Sequence, residues 1–176
     1  MAIDADRVDI VDEQDRPTGR RILRSEACGG SNQTLHRCVA VYVFAPDGRV
    51  YIQHHKKSGR FDHSVGGHVD AGEAYAAAAV REAEEELGIR GVPLHELTTG
   101  LRSHEHGREH MFGVYECSPG SEWHFVPNDE VEQVTLMTLE AAVRLANEHP
   151  EQCTQGFINV LKFYAAAKNL PFTVNS

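Results

Sequence analysis

An α/β domain is the fold class that the sequence predicts, and three features predict it. Short apolar runs rich in β-branched residues are each followed by a turn signal. One long segment instead repeats its apolar residues at helical spacing. Hydrophobic content of 41% beside 24% charge is that of a chain that buries a core. At 176 residues, with no internal repeat, low-complexity tract or linker, the chain reads as one domain over 1–176.

The elements follow in order. Arg7–Val11, the Pro17 and Gly19 turn residues, and Ile22-Leu23 predict an N-terminal hairpin over about 7–24. Residues 27–33, with Gly29-Gly30-Ser31-Asn32, read as a loop. Cys38–Phe44 is continuously apolar, as a strand buried on both faces must be. Pro46-Asp47-Gly48 then turns the chain into Val50–Gln53, a second hairpin. The glycine-rich stretch 59–72 reads as loop, and residues 73–87 as a helix ended by Gly88 at C′. Strands are predicted at Leu94–Thr98 and Met111–Glu116, and helices at Leu139–Glu148 and Phe157–Lys168.

Charge narrows the partners. Seventeen Lys and Arg against 26 Asp and Glu leave a formal charge of −9. A nucleic-acid polymer or an anionic membrane surface would repel such a chain. No apolar run of about 18 residues is present, so no membrane span is expected. The first residues, Met1-Ala2-Ile3-Asp4-Ala5-Asp6, lack the apolar core of a secretory signal. Cys28, Cys38, Cys117 and Cys153 stand far apart without a C-x-x-C pair, which reads as reduced thiols in a cytoplasmic protein. Cys38 and Cys117, in apolar strands, read as inert core thiols.

The informative stretch is Gly67-His68-Val69-Asp70-Ala71-Gly72-Glu73, seven further residues, and Arg81-Glu82-Ala83-Glu84-Glu85-Glu86-Leu87-Gly88-Ile89. On a helix, Ala76, Ala79, Val80, Ala83 and Leu87 share one arc of roughly 100°, the expected core face. Glu82, Glu85 and Glu86 stand beside each other on a neighbouring arc, and Glu84 lies away from them. As structure alone the trio is unfavourable. Each like-charge pair costs a few tenths of a kcal/mol, and the C-terminal helix dipole disfavours each anion by about 0.3–1 kcal/mol. A hard divalent cation such as Mg²⁺ removes both objections, because it takes carboxylate oxygens and bridges to phosphates.

The spacing G-x5-E-x7-R-E-U-x-E-E-x-G-U, with U apolar, matches the Nudix box at every defined position over 67–89, Ala83 being a small member of its class. The sequence therefore resembles the Nudix superfamily. The resemblance implies an α/β/α sandwich around a mixed sheet, with the box as a loop–helix–loop. It implies metal-dependent hydrolysis of a small-molecule diphosphate, of the type nucleoside diphosphate linked to X. By the match, Glu82, Glu85 and Glu86 would hold Mg²⁺ or Mn²⁺, with the Gly66 carbonyl as a further ligand. Arg81 and Glu73 would orient the carboxylates and the loop. Glu85 is the expected general base, with Glu109 and Glu105 as alternatives. Dimers are common among such proteins, so a homodimer is one expected assembly.

A narrower resemblance, from about Arg7 to Glu116, is carried by the N-terminal hairpin and Thr34-Leu35-His36-Arg37. It points to the branch containing the type I isopentenyl-diphosphate isomerases and their hydrolase-like relatives. In those isomerases, histidines at the His36 and His68 positions and two later glutamates form a metal site. A cysteine two residues before the second histidine is essential. Here His36, His68 and Glu109 are retained, but that cysteine position is Gly66 and one glutamate falls near Gly107. Isomerase activity is thereby disfavoured. A Nudix ligand sensor is the third class, although such a sensor should have lost a box carboxylate. Two readings stand for His36 and His68: a capped hydrogen-bond network beside a solvated imidazole, or an accessory metal or substrate site that includes Glu109.

Two further histidine clusters remain. Residues 106–110 spell H-x-x-E-H, but Gly107 and the adjoining strand deny it the helix that a zinc protease needs. His54-His55-Lys56-Lys57 reads as a solvated strand end or a phosphate contact.

Overall fold

The computed structural model describes residues 3–27, 34–56, 58–105 and 108–172, apart from the side chains of Glu105 and Arg108. Of the loop expected at 27–33, Ala27 is helical and residues 28–33 (with Cys28) lie outside the described residues, as do Lys57 and the His106-Gly107 pair.

Strand β3, His36–Phe44, organises the sheet. Seven of its nine residues are buried, which its unbroken apolar run requires. Along one edge it pairs antiparallel with three successive partners. These are β1 (Arg7–Val11) at Ile10↔His36, β6 (Val65–His68) over Cys38–Val41, and β4 (Val50–His54) at its end. The other edge runs parallel to β8, Arg108–Cys117, from His36↔His110 to Val43↔Cys117. The sheet is therefore mixed. Strand β2 (Pro17–Leu23) closes the N-terminal hairpin, and β7 (His95–Glu105) lies antiparallel to β8. Strands β5 (Phe61–Asp62) and β9 (Val134–Met137) both pair with β4.

Helices cover both faces. Helix α1, Arg24–Ala27, is a single turn after β2. Helix α2, Tyr75–Leu87, packs Ala78, Ala79, Ala83 and Leu87 on Val39, Val41, Val43 and Val65. Helices α3 (Leu139–Glu148) and α4 (Gln155–Ala167) pack on the opposite face around Ala40, Tyr42, Ile52, Phe112 and Phe157. Burying each large side chain of these cores contributes about 1.5–3 kcal/mol before the entropy of ordering is counted. Thr138 and Thr154 cap α3 and α4 by accepting from Ala141 N and Phe157 N, so α4 starts two residues before the expected Phe157. No helix among the described residues is long and apolar enough to cross a membrane.

Three expectations are corrected. Residues 59–72 are not all loop, because β5 and β6 lie within them. The Gly66-Gly67 pair hides β6 from propensity, yet all four of its residues are in register with β3. The strand expected at Leu94–Thr98 runs on to Glu105, bending where the β7–β8 register shifts around Thr98–Leu101. Helix α2 starts at Tyr75, not Glu73, and its buried stripe is Tyr75, Ala78, Ala79, Glu82, Ala83 and Leu87. Ala76 and Val80 face solvent, Val80 at 51% exposure. The rotation seats the Tyr75 hydroxyl on Met111 O at 3.1 Å and carries a carboxylate, Glu82, into the interior.

Candidate functional site

The loop before α2 and the helix itself place the site. Gly88 ends α2 in the left-handed region at φ 67° and donates to Glu84 O, so the glutamates lie in the last turns of a cleanly terminated helix. Glu73 closes a turn with its backbone N on Asp70 O, while its Oε2 accepts from Asp70 N at 3.0 Å.

Arg81 ties the pieces together. It grips both oxygens of Glu73, donates to Glu82 Oε1 at 2.7 Å and Glu85 Oε2 at 3.1 Å, and reaches the His68 carbonyl at 2.9 Å. Asp70, paired with Arg24, stands 3.7 Å from the Arg81 Nε. Burial pushes the Glu73 carboxyl up, but Arg81, the Asp70 N–H and the charge of Arg24 outweigh it and hold it below the ordinary value. At Glu82 burial wins. Its carboxyl is raised, with the neighbouring Glu85 charge adding to the shift and Arg81 opposing it.

Glu82 sits against Gly67 so closely that a Cβ there would lie 2.1 Å from the carboxyl carbon. The glycine of β6 is thus a cradle for a carboxylate. Glu82, Glu85 and Glu130 bring one oxygen each to within 4.8 Å of one another. This all-oxygen donor set fits a hard divalent cation. Glu130 was missed by reading the sequence. It is delivered by Asn128, whose side chain donates to Glu86 O at 2.9 Å and accepts from Glu130 N and Val131 N at 2.8 Å. No spacing motif singles it out within the run Val126-Pro127-Asn128-Asp129-Glu130-Val131.

Glu86 does not join that group. Its Oε2 accepts from Gln53 Nε2 and from Gly66 N, each at 3.0 Å. Burial drives its carboxyl up to about 8, the Gly66 N–H opposing, Glu82 and Asp62 reinforcing and Gln53 opposing. Glu84 points away and pairs with Arg90 on the surface.

His36 and His68 do come together, with ring centroids 5.2 Å apart and planes 8° from parallel. Glu109 does not join them. It lies on the opposite face of the β7–β8 ribbon from His110, held by Arg102 and by His104 at 3.2 Å, because successive residues along β8 alternate between faces. In its place stand His110 and Cys38. Cys38 stands beside these imidazoles and also within the core under α3 and α4, and Cys117 and Cys153 are buried thiols, each pushed up to about 11 by burial. His54 and His55 are engaged by Thr135 and Ser58, and Lys56 by Asp129 O, so this strand end is tied to its neighbours.

The NUDIX domain model matches residues 34–155. A curated Nudix hydrolase of Streptomyces coelicolor is 41% identical over 143 residues, covering 71% of this chain and 76% of the relative. An isopentenyl-diphosphate Delta-isomerase of Salmonella arizonae is 33% identical over 89 residues, 48% of each chain. A crystal structure from Deinococcus radiodurans shares the fold at a TM-score of 0.67 and 24% identity, covering 89% of this chain and 97% of that one.

Proposed function

The chain belongs to the NUDIX family, and from that membership we propose that it hydrolyses a small-molecule diphosphate of the type nucleoside diphosphate linked to X, with Mg²⁺ or Mn²⁺. The observation that supports this most is the convergence of Glu82, Glu85 and Glu130 beside Arg81. Diphosphates resist hydrolysis because their negative oxygens repel a nucleophile. A cation held by Glu82, Glu85 and Glu130 supplies charge neutralisation at those oxygens and acidifies water. Glu86 and the Gly66 carbonyl, at the β6 edge of the same helix, are the reserve ligands.

The remaining work falls to the chain itself. Arg81 holds Glu82 and Glu85 at fixed separation while its other edge is locked on Glu73, so the carboxylates are placed before substrate arrives. Glu85, whose side chain is 45% exposed, is the carboxylate best placed to take the proton of an attacking water. Glu73 is a positioning residue, because it acts through Arg81.

The test is a panel of nucleoside diphosphate derivatives and other small diphosphates with Mg²⁺ or Mn²⁺, scored for released nucleotide and orthophosphate. Turnover should fall by at least about 10²-fold in Glu85→Gln. Turnover that survives chelation, or that Glu85→Gln leaves unchanged, would remove this reading.

A further inference from the structure

We propose that His36, Cys38, His68 and His110 form a second metal site, built for a borderline-soft divalent ion of the Zn²⁺ class and separate from the carboxylate site. One ligand atom from each residue lies within 4.8 Å of all the others. A tetrahedral Zn²⁺ centre, with bonds of about 2.0–2.1 Å to nitrogen and about 2.3 Å to sulfur, needs ligand atoms about 3.3–3.6 Å apart. The cluster is thus about an ångström from that geometry, a contraction within the reach of side-chain torsions.

Topology assembles the four. His36 and His110 are in register across the parallel β3–β8 pair, and Cys38 and His68 across the antiparallel β3–β6 pair. Because strand side chains alternate, His36 and Cys38 share a face of β3, the face that carries Ala40 and Tyr42 toward α3 and α4. Gly67, which cradles Glu82, belongs to the opposite, α2-facing side of β6. The two sites therefore stand on opposite faces of one sheet. The imidazoles converge: His110 meets His36 edge-on at 4.8 Å and His68 at 6.4 Å, while His36 stacks on His68.

The local chemistry agrees. His36 Nδ1 lies 3.0 Å from the Thr34 carbonyl, which fixes the proton on Nδ1 and puts the lone pair on Nε2. A histidine whose second nitrogen is anchored on a backbone carbonyl is the usual arrangement of a metal-ligating imidazole. Three imidazoles and a thiol, without a carboxylate, select against Mg²⁺ and for Zn²⁺-like ions. This differs from the isomerase pattern, whose downstream ligands are glutamates and whose cysteine lies two residues before the second histidine. Four protein ligands close the coordination sphere, as in structural sites. The site would staple β3, β6 and β8 at one end. His68 connects it to the carboxylates, since its carbonyl accepts from Arg81 Nη2 at 2.9 Å.

The experiment measures metal content and spectra, so it stands or falls independently of hydrolysis. Protein reconstituted with Zn²⁺ and dialysed against excess Mg²⁺ should retain about one Zn²⁺ per chain, and its Tm should rise by about 5–15 °C over the metal-stripped protein. The Co²⁺ form should show thiolate-to-cobalt charge transfer and the intense visible bands of four-coordination. Cys38→Ser should abolish the charge-transfer band, and Cys153→Ser should keep it. His68→Gln, at the least buried ligand, should weaken Zn²⁺ binding by more than about 100-fold, the upper end of what losing a mere supporting residue costs. If Cys38→Ser fails to fold, His68→Gln decides. Zn²⁺ lost to Mg²⁺, a cobalt spectrum without thiolate character, or full Zn²⁺ affinity in His68→Gln would each overturn the site.

Discussion

The Arg81 guanidinium holds both oxygens of Glu73 along one edge, Nε to Oε1 at 3.0 Å and Nη2 to Oε2 at 2.8 Å. A planar fork can do this and a lysine cannot. Glu73 is held below its ordinary value, so the pair contributes stability above about pH 4.5 and loses it as pH falls through the depressed native value. Arg81→Lys should shrink that acid-side loss, lower Tm at pH 7 by about 4–8 °C, and cost about 10²-fold in kcat through displaced carboxylates. Thermal melts between pH 3 and 7 check the first two. An unchanged acid limb would mean that Glu73 is not held by this arginine.

Glu86 behaves in the opposite sense. Its native carboxyl is raised from 4.5 to about 8, so in the absence of cation it binds a proton that the unfolded chain has released. Stability must then decline as pH climbs between those two values. Glu86→Gln keeps an acceptor for Gln53 Nε2 and Gly66 N and removes the titration. It should flatten the decline, raising Tm at pH 8 by about 2–6 °C, while lowering kcat at least about 10²-fold. Glu84→Gln breaks only the exposed contact with Arg90, and should be nearly silent in both assays.

Glu130 reaches the cluster through Asn128, not through α2. Glu130→Gln should therefore weaken Mn²⁺ affinity about tenfold or more, read by titration of activity or of the Mn²⁺ electron-spin signal. Asn128→Ala should reproduce much of that loss while every carboxylate is still present. Equal affinity in both variants and the parent would exclude Glu130 from the cation.

How much of this was legible depends on how local each signal is. The box spacing placed α2, and β3 declared itself by an apolar run that no amphipathic element would carry. Helix α2's rotation was not legible, because a pattern reading sends Glu82 outward. The bond from the adjacent Arg81, itself fixed by Glu73 from the loop before α2, and the missing Cβ of Gly67 make its burial tolerable. Glu109 and His110 are adjacent in sequence, and one residue of register decides which of them meets His36. Glu130 and Cys38 joined their clusters through long-range pairing, which spacing alone does not encode.

The isomerase alternative turns on one position. Gly66 supplies no thiol, and Cys38 on β3 belongs with the three imidazoles. Isopentenyl diphosphate with Mg²⁺ or Mn²⁺ should therefore yield no dimethylallyl product above background. Sustained product, measured by chromatography, would place the protein among the isomerases.

The two glycines of β6 should respond very differently to the same methyl group. At Gly67 the new Cβ would lie 2.1 Å from the Glu82 carboxyl carbon and within 2.6 Å of both its oxygens. Glu82 is fixed by Arg81, so it cannot step aside without giving up a charged hydrogen bond in a buried setting. Gly67→Ala should cost about 1–3 kcal/mol and most of the activity. At Gly66 the nearest atom is His63 Nδ1 at 3.3 Å, a contact that a few tenths of an ångström relieves. Gly66→Ala should stay within about 1.5 kcal/mol of the parent and remain active. Paired urea melts and hydrolysis assays give the comparison. A Gly67→Ala protein as stable and active as Gly66→Ala would show that Glu82 is not held where β6 demands a glycine.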